Sequence, residues 1–275
     1  MLKEREDLLT GRGKSSQNYR MLVPRRPEAA DSPLPERKPT RAAAILTASA
    51  VLALLSAGCM VVSNDSATTE SESKTIELKG AKSVQLNVEM GAGELRIRGG
   101  AAPLLDADFR YSPAQWKPEV RYDVAGDRGT LVVRQHGSQT IGSNKKNEWE
   151  LRLNEDVPMD VSVKLGAGEG ALDLGNVSLH SLNIEMGVGE LKLNLTGHPR
   201  NNVDVSINGG VGQATVRLPR RARLEVEAHG GIGEITASGL TKRDGLWVNE
   251  PSGATDATMH VTVNGGIGGI HLICE

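Results

Sequence analysis

Apolar and polar residues alternate with a period of two through most of the second half of the chain. Typical segments are VQLNVEM from residue 84, MDVSVKL from residue 159 and LEVEAHG from residue 224. This alternation is typical of β-strands that bury one face and expose the other. The pattern therefore predicts an all-β protein.

A four-residue glycine motif follows six of these strands. In each copy two glycines flank Ala, Val or Ile, and the copies are 75, 21, 23, 21 and 35 residues apart. Most copies lead into another alternating strand, so the unit is a strand, a tight turn and a second strand. The glycines that we assign to these turns are Gly91 and Gly93, Gly166 and Gly168, Gly187 and Gly189, Gly210 and Gly212, Gly231 and Gly233, and Gly266 and Gly268.

One such unit is not stable alone. Burying its apolar side chains gains roughly 1.5–3 kcal/mol each, whereas ordering about 21 residues costs roughly 20–40 kcal/mol. Successive units must therefore stack, with strands about 4.8 Å apart. The predicted fold is a single-stranded β-solenoid, resembling a β-helix with coils of about 21 residues, over residues 161–275. We expect the residue between the two glycines to point inward and fill the corner.

Residues 74–160 differ from the rest, because aromatic residues concentrate there. The segment predicts an antiparallel β-section that covers the first edge of the solenoid. Its aromatic cluster has two interpretations: a small hydrophobic core, or a groove for a glycan or peptide ligand. The candidate ligand-binding residues are Tyr111, Trp116, Tyr122 and Trp149.

The N-terminal part of the chain has the charge pattern of an export signal or membrane anchor. Residues 1–41 have ten basic and six acidic side chains, and residues 42–58 have no charge. A basic flank before an apolar segment predicts that the domain after it lies outside the cytoplasm. Residues 1–41 are then a basic cytoplasmic leader, or Met21 is the true start. Residues 59–73, rich in Ser, Thr and Glu, predict a flexible tether.

Two kinds of anchor fit the apolar segment. The sequence Leu-Ser-Ala-Gly-Cys that ends at Cys59 resembles a bacterial lipobox, which makes this cysteine the lipid attachment site; Ser56 departs from the usual leucine. The alternative is an uncleaved helix over residues 42–62, which is long enough to span about 30 Å of hydrocarbon. Both predict a chain tethered to a membrane.

Several segments together resemble the toast-rack family of bacterial envelope domains, including its N-terminal section. They are the run from Trp116 to Val120 with Tyr122, Leu153-Asn154 with Val157-Pro158, and the segments LGAGEGALDL and MGVGELKLNL. The resemblance covers about residues 74–275 and extends in architecture to LiaF-type proteins of cell-wall-antibiotic responses. It implies a non-catalytic envelope module and supplies no catalytic residues.

Composition and charge exclude several classes of function. The net charge of −2 lacks the basic excess of a nucleic-acid binder. Two cysteines cannot form a disulfide scaffold or a cysteine zinc site. We find no motif for an enzyme and predict no cofactor or metal. A polysaccharide-active β-helix enzyme is a remote alternative.

The fourth position of the motif is acidic in four copies. These carboxylates either accept hydrogen bonds from backbone N–H groups at the turn or, stacked about 5 Å apart, bind a divalent cation or cationic partner. The four residues are Glu94, Glu169, Glu190 and Glu234.

The sequence as a whole predicts a membrane-tethered, extracytoplasmic interaction module in cell-envelope stress or assembly, acting by protein–protein contact. The alternative is a surface adhesin or glycan-binding lipoprotein. Placing Ile273 outward on what should be the last coil also predicts an apolar C-terminal edge for self-association.

Overall fold

The computed structural model describes residues 68–136, 145–252 and 257–275. These residues form one continuous β-sheet, with a 3₁₀ turn at Ala114–Trp116. The strands are β1 Glu70–Ile76, β2 Ser83–Gly99, β3 Leu105–Ser112, β4 Pro118–Ala125, β5 Arg128–Gln135, β6 Lys146–Leu153, β7 Met159–Asp173, β8 Leu179–Asn194, β9 Val203–Leu218, β10 Arg223–Ile232, β11 Ile235–Ser238, β12 Thr241–Arg243, β13 Leu246–Val248 and β14 Thr258–Cys274.

The repeats form the rungs of a β-solenoid, as predicted. Each rung is one long strand that continues through its glycine motif, except the rung that is divided into β10 and β11. Neighbouring rungs are parallel and in register, so that Gly168 pairs with Gly93 on one side and with Gly189 on the other. Motifs that are far apart in sequence therefore lie at one corner of the stack.

The spatial order of the rungs is β2, β7, β8, β9, β14, β10. The prediction that the last motif lies on the last coil is therefore wrong, and so is the open edge expected at Ile273. That residue pairs with Arg217 of β9 on one side and with Ser238 of β11 on the other. Placing β14 inside the stack gives both edges of this 17-residue strand a partner. It leaves a shorter, divided rung at the end of the stack.

A small hairpin covers part of this terminal rung. Strand β13 pairs with β10 at Glu225 and Val226, and β12 pairs with β13. Leu240 and Trp247 pack against the core beside it. Among the described residues, no strand pairs with the outer edge of segment 227–238.

An antiparallel β-section covers the opposite end, as the sequence predicts. Strands β5 and β6 pair with the two halves of β2 and are parallel to it. Their outer partners β4 and β3 are antiparallel to them, and β1 is antiparallel to β3. The aromatic-rich segment therefore closes the first edge of the solenoid.

The predicted domain boundaries need two corrections. The first rung, Ser83–Gly99, lies inside the predicted section 74–160, because strands β3 to β6 are inserted between rungs one and two. Strand β1 begins at Glu70, so the last residues of the predicted tether 59–73 are in a strand. Ser73 and Thr75 pair with acidic residues of β3, which orders this polar segment.

The core consists of columns of inward side chains that run along the stack. In one column each member is the register partner of the next, and each is at most 3% exposed. Burial of each contributes roughly 1.5–3 kcal/mol. The column is Leu86, Val161, Leu182, Val205, Val261 and Val226.

Candidate functional site

The corner of β9 requires both of its glycines, for different reasons. Gly212 has a φ of +141°, which is unfavourable for any residue with a side chain. Gly210 has no such φ, but a Cβ atom there would collide with the carbonyl oxygen of Gly187 on the neighbouring rung. The repeated glycines therefore allow the corners to stack in register at the strand spacing.

The residue between the two glycines points outward, not inward as the sequence analysis expected. Val211 is 47% exposed, whereas Ile207 and Val216 on either side of the corner are buried. Inward positions next to the corner are already filled by Ile207 and the partly buried Ala214. The middle side chain is left on the convex side of the turn.

These outward residues form a continuous line, which we call the corner row. Val188, Ile267 and Ile232 are 54%, 52% and 71% exposed, and each row member is a register partner of the next. Side-chain size increases along the row from Ala to Val to Ile. In spatial order the row is Ala92, Ala167, Val188, Val211, Ile267 and Ile232.

The glycines on both sides leave the larger members of the row without neighbouring side chains to cover them. Scattered exposed aliphatic residues are ordinary on soluble proteins, but a contiguous apolar strip marks an interaction site. The sequence alone did not reveal this strip, because a motif does not show on which side of a turn its middle residue lies.

The surroundings of the corner row change from charged to neutral along the stack. Beside the row on β7 and β8, Lys164 and Glu185 form a 3.0 Å ion pair. The equivalent positions on β9 and β14 are Asn208 and Asn264, joined by a 3.0 Å side-chain hydrogen bond. On the other side of the turn β9 has Gln213. The row at Val211 and Ile267 is thus flanked by uncharged groups, whereas Ile232 on the terminal rung is followed by Glu234.

The acidic positions form a line across the first rungs, with Glu169 the register partner of Glu94 and Glu190. The contacts of Glu94 and Glu190 fit neither of the two interpretations, hydrogen bonds from the turn backbone or a bound divalent cation. Glu94 pairs with Arg96, and Glu190 lies 3.0 Å from Nζ of Lys192. Each of these two carboxylates forms an ion pair with the basic side chain two residues further along its own strand. The part of the chain that the structure describes has no group of three or more His, Cys, Asp or Glu suited to a metal ion.

The aromatic cluster is a small hydrophobic core rather than a ligand groove. Tyr111, Trp116 and Trp149 are at most 4% exposed. Trp149 packs edge-to-face on Phe109, with ring centroids 5.5 Å apart and planes at 86°. Tyr122 is partly buried and packs against the same core. The candidate ligand face is therefore wrong for the three buried residues. Strand alternation turns Tyr111 and Trp149 inward, and Trp116 is buried at the end of the 3₁₀ turn.

Two tyrosine hydroxyls of this core have raised pKa values. Burial, followed by the nearby carboxylates Glu70 and Glu72, raises the pKa of Tyr111 to about 12. Burial also raises the pKa of Tyr122, whose hydroxyl donates a 2.7 Å hydrogen bond to the carbonyl oxygen of Leu78. Both phenols stay neutral near pH 7 and act as structural groups.

The predicted anchor lies outside the described residues. This applies to the leader 1–41, the apolar segment 42–58 and the lipid attachment site Cys59. Within the described ranges, no helix is long and apolar enough to cross a membrane.

Comparisons with known proteins agree with this architecture. A family model described as the N-terminal domain of toast_rack, a domain of unknown function, matches residues 65–217. This chain belongs to the toast-rack family. No curated protein sequence matches the chain.

Three solved structures resemble this chain to different degrees. The crystal structure of a proposed cell adhesion protein from Clostridium sporogenes is 34% identical, with a TM-score of 0.72, over 76% of this chain and 100% of that one. A proposed adhesin from Bacteroides fragilis is 13% identical, with a TM-score of 0.30, over 75% of this chain and 97% of that one. A proposed lipid binding protein from Parabacteroides distasonis is 9% identical, with a TM-score of 0.25, over 74% and 96%.

Proposed function

We propose that the chain is a membrane-tethered, extracytoplasmic and non-catalytic interaction module of the bacterial cell envelope, which binds a protein partner through the corner row. The observation that carries this proposal is the contiguous exposed strip at Val188, Val211 and Ile267. Covering these three half-exposed side chains is worth roughly 1 kcal/mol each. They would form the apolar centre of an interface whose polar rim supplies further contacts.

Two further observations support the proposed location and role. The basic leader and uncharged segment that precede the domain are the arrangement of an exported or anchored protein. The Clostridium sporogenes structure, which this chain resembles over that protein's full length, is described as a proposed cell adhesion protein. The proposed role in envelope stress or assembly rests on the architectural resemblance to LiaF-type proteins.

Site-specific cross-linking in intact cells tests the binding surface. A photo-reactive amino acid replaces Val211 of the full chain, and the matched control carries it at Arg217, an exposed residue of the same strand outside the corner row. We expect a protein adduct from position 211 that is lost when Val188→Asp and Ile267→Asp are added. Adducts of equal yield from both positions, or none from 211, would contradict the proposed surface.

Mass spectrometry of the chain extracted from membranes tests the tether. A lipoprotein begins at a diacylated Cys59, whereas an uncleaved anchor retains the residues before it. An unmodified chain in the soluble fraction of the cytoplasm would exclude both.

The alternative is a surface adhesin, which the description of the Clostridium sporogenes protein as a proposed cell adhesion protein favours. The ligand proposed for it is a glycan. Retention of the full chain on envelope polysaccharide, without a protein adduct at position 211, would support this alternative.

A further inference from the structure

The terminal rung has an edge that can pair with a second copy of itself. Segment 227–238 begins directly after the last residue of β10 that pairs with the hairpin, Val226, and ends at Ser238, the last residue of β11. Its backbone N–H and C=O groups on the outer side have no strand partner among the described residues. A free edge of this length is a template for another strand.

The core is also less completely covered at this rung than elsewhere. Ala228, Ile235 and Ala237 are partly buried residues at the edge of the core. Their register partners on β14 include Ile270 and Leu272, which are 3% and 1% exposed. A further rung placed on this edge would remove the three inward side chains from water.

We propose that two copies of the chain join end to end through segment 227–238, related by a two-fold axis that passes through the corner. The two segments would pair antiparallel, with the first half of one rung on the second half of the other. This contact differs from the envelope partner proposed above, because it uses the strand edge rather than the convex face of the row.

The segment is self-complementary in this arrangement. With the axis between Ile232 and Gly233, Ala228 lies opposite Ala237 of the other copy, so that inward residues face inward residues. Glu227 lies opposite Ser238, and the hairpin on Glu225 and Val226 keeps its place because the pairing stops at residue 227. In a two-fold symmetric contact the same surface of both copies meets, so that surface must be complementary to itself.

Charge and apolar exposure agree with the same register. Glu234 lies opposite Gly231 and His229 opposite Thr236, so no two like charges face each other across the edge. Ile232 of each copy would be a diagonal neighbour of its symmetry mate at the corner. This residue is 71% exposed in the single chain, and the contact would cover both copies of it.

Light scattering on the full chain in detergent tests the association. We expect a mass of two chains, and Ile232→Asp should weaken the association about 100-fold because two apolar side chains lose their burial. The matched control is Val211→Asp, the same corner position on an interior rung, which should leave the mass unchanged. A monomer at all concentrations, or equal effects of both substitutions, would overturn the proposal.

Engineered cysteines test the register. Glu227→Cys with Ser238→Cys places two thiols opposite each other across the axis, and mild oxidation should give a disulfide-linked dimer. The control is Ser206→Cys with Arg217→Cys, the equivalent positions of β9 inside the stack, which should give none. A dimer linked equally in the control, or not linked in the edge variant, would overturn this contact.

The envelope-partner surface and the edge-to-edge dimer can be tested separately. Val188→Asp should weaken the cross-link from position 211 to an envelope partner without changing the mass of the purified chain. Ile232→Asp is measured on the mass of the purified chain, where no envelope partner is present. A dimer without a partner adduct supports the edge contact and contradicts the proposed partner surface.

Discussion

Val211 and Ile267 are register partners between β9 and β14, although the next corner residue after Val211 along the chain is Ile232. The last strand of the chain is therefore inserted between two rungs that precede it in sequence. Strands β9 and β10 do not pair with each other, so β14 is required to join them in the folded sheet. This order also determines which residues are neighbours in the corner row.

The corner glycines should be far less tolerant of substitution than glycines in open turns. Gly212→Ala combines a φ of +141° with a collision against the carbonyl oxygen of Gly189. We expect a loss of about 2–5 kcal/mol in the free energy of unfolding. Denaturant titration followed by tryptophan fluorescence measures it.

The matched control is Gly100→Ala. Gly100 has a φ of +101°, but a Cβ atom added to it would have no other atom within 4 Å. This change should cost only about 1–2 kcal/mol for the backbone conformation. Equal losses in the free energy of unfolding for the two substitutions would mean that the close approach of neighbouring corners does not make Gly212 less tolerant of a side chain.

Two residues of β14 should respond differently to truncation. Leu272 is 1% exposed and faces the core, whereas Ile267 is 52% exposed at the corner. Leu272→Ala should lower the free energy of unfolding by about 2–5 kcal/mol, and Ile267→Ala should change it by less than about 0.5 kcal/mol. A comparable loss from Ile267→Ala in thermal or chemical unfolding would place its side chain in the interior.

Tyr111 should couple stability to alkaline pH. Its folded pKa of about 12 lies above the ordinary value of 10, so the folded state retains the phenolic proton that the unfolded state releases. The stabilisation is complete below pH 10 and is lost as the pH rises from about 10 to 12. Unfolding of the chain and of Tyr111→Phe, measured between pH 9 and 12, checks this.

In the variant the loss of stability over that interval should be smaller, because Phe has no proton to release. Tyr122 titrates with a raised pKa in both proteins and therefore serves as an internal reference. Identical pH profiles for the two proteins would show that the Tyr111 hydroxyl is not buried.

The fold was largely predictable from the sequence because period-two alternation and the spacing of the glycines are local signals. The exposure of Val211 was not, because it depends on what already occupies the inside of the corner, namely Ile207 and Ala214. The position of β14 was not predictable either, since similar motifs on β9, β10 and β14 fit next to one another in more than one order. The aromatic cluster allowed a groove or a core until the pairing of Phe109 with Trp149 placed both side chains inside.

The order of the rungs is tested most directly by disulfide formation between corner positions in the full chain. Register partners on adjacent parallel strands are about 4.8 Å apart, within the range that a disulfide bridges, whereas residues two rungs apart are not. Val211→Cys with Ile267→Cys should form an intramolecular disulfide on mild oxidation, detected by intact mass, and Val211→Cys with Ile232→Cys should not. A disulfide in the second variant and none in the first would contradict both the order of the rungs and the corner row built on it.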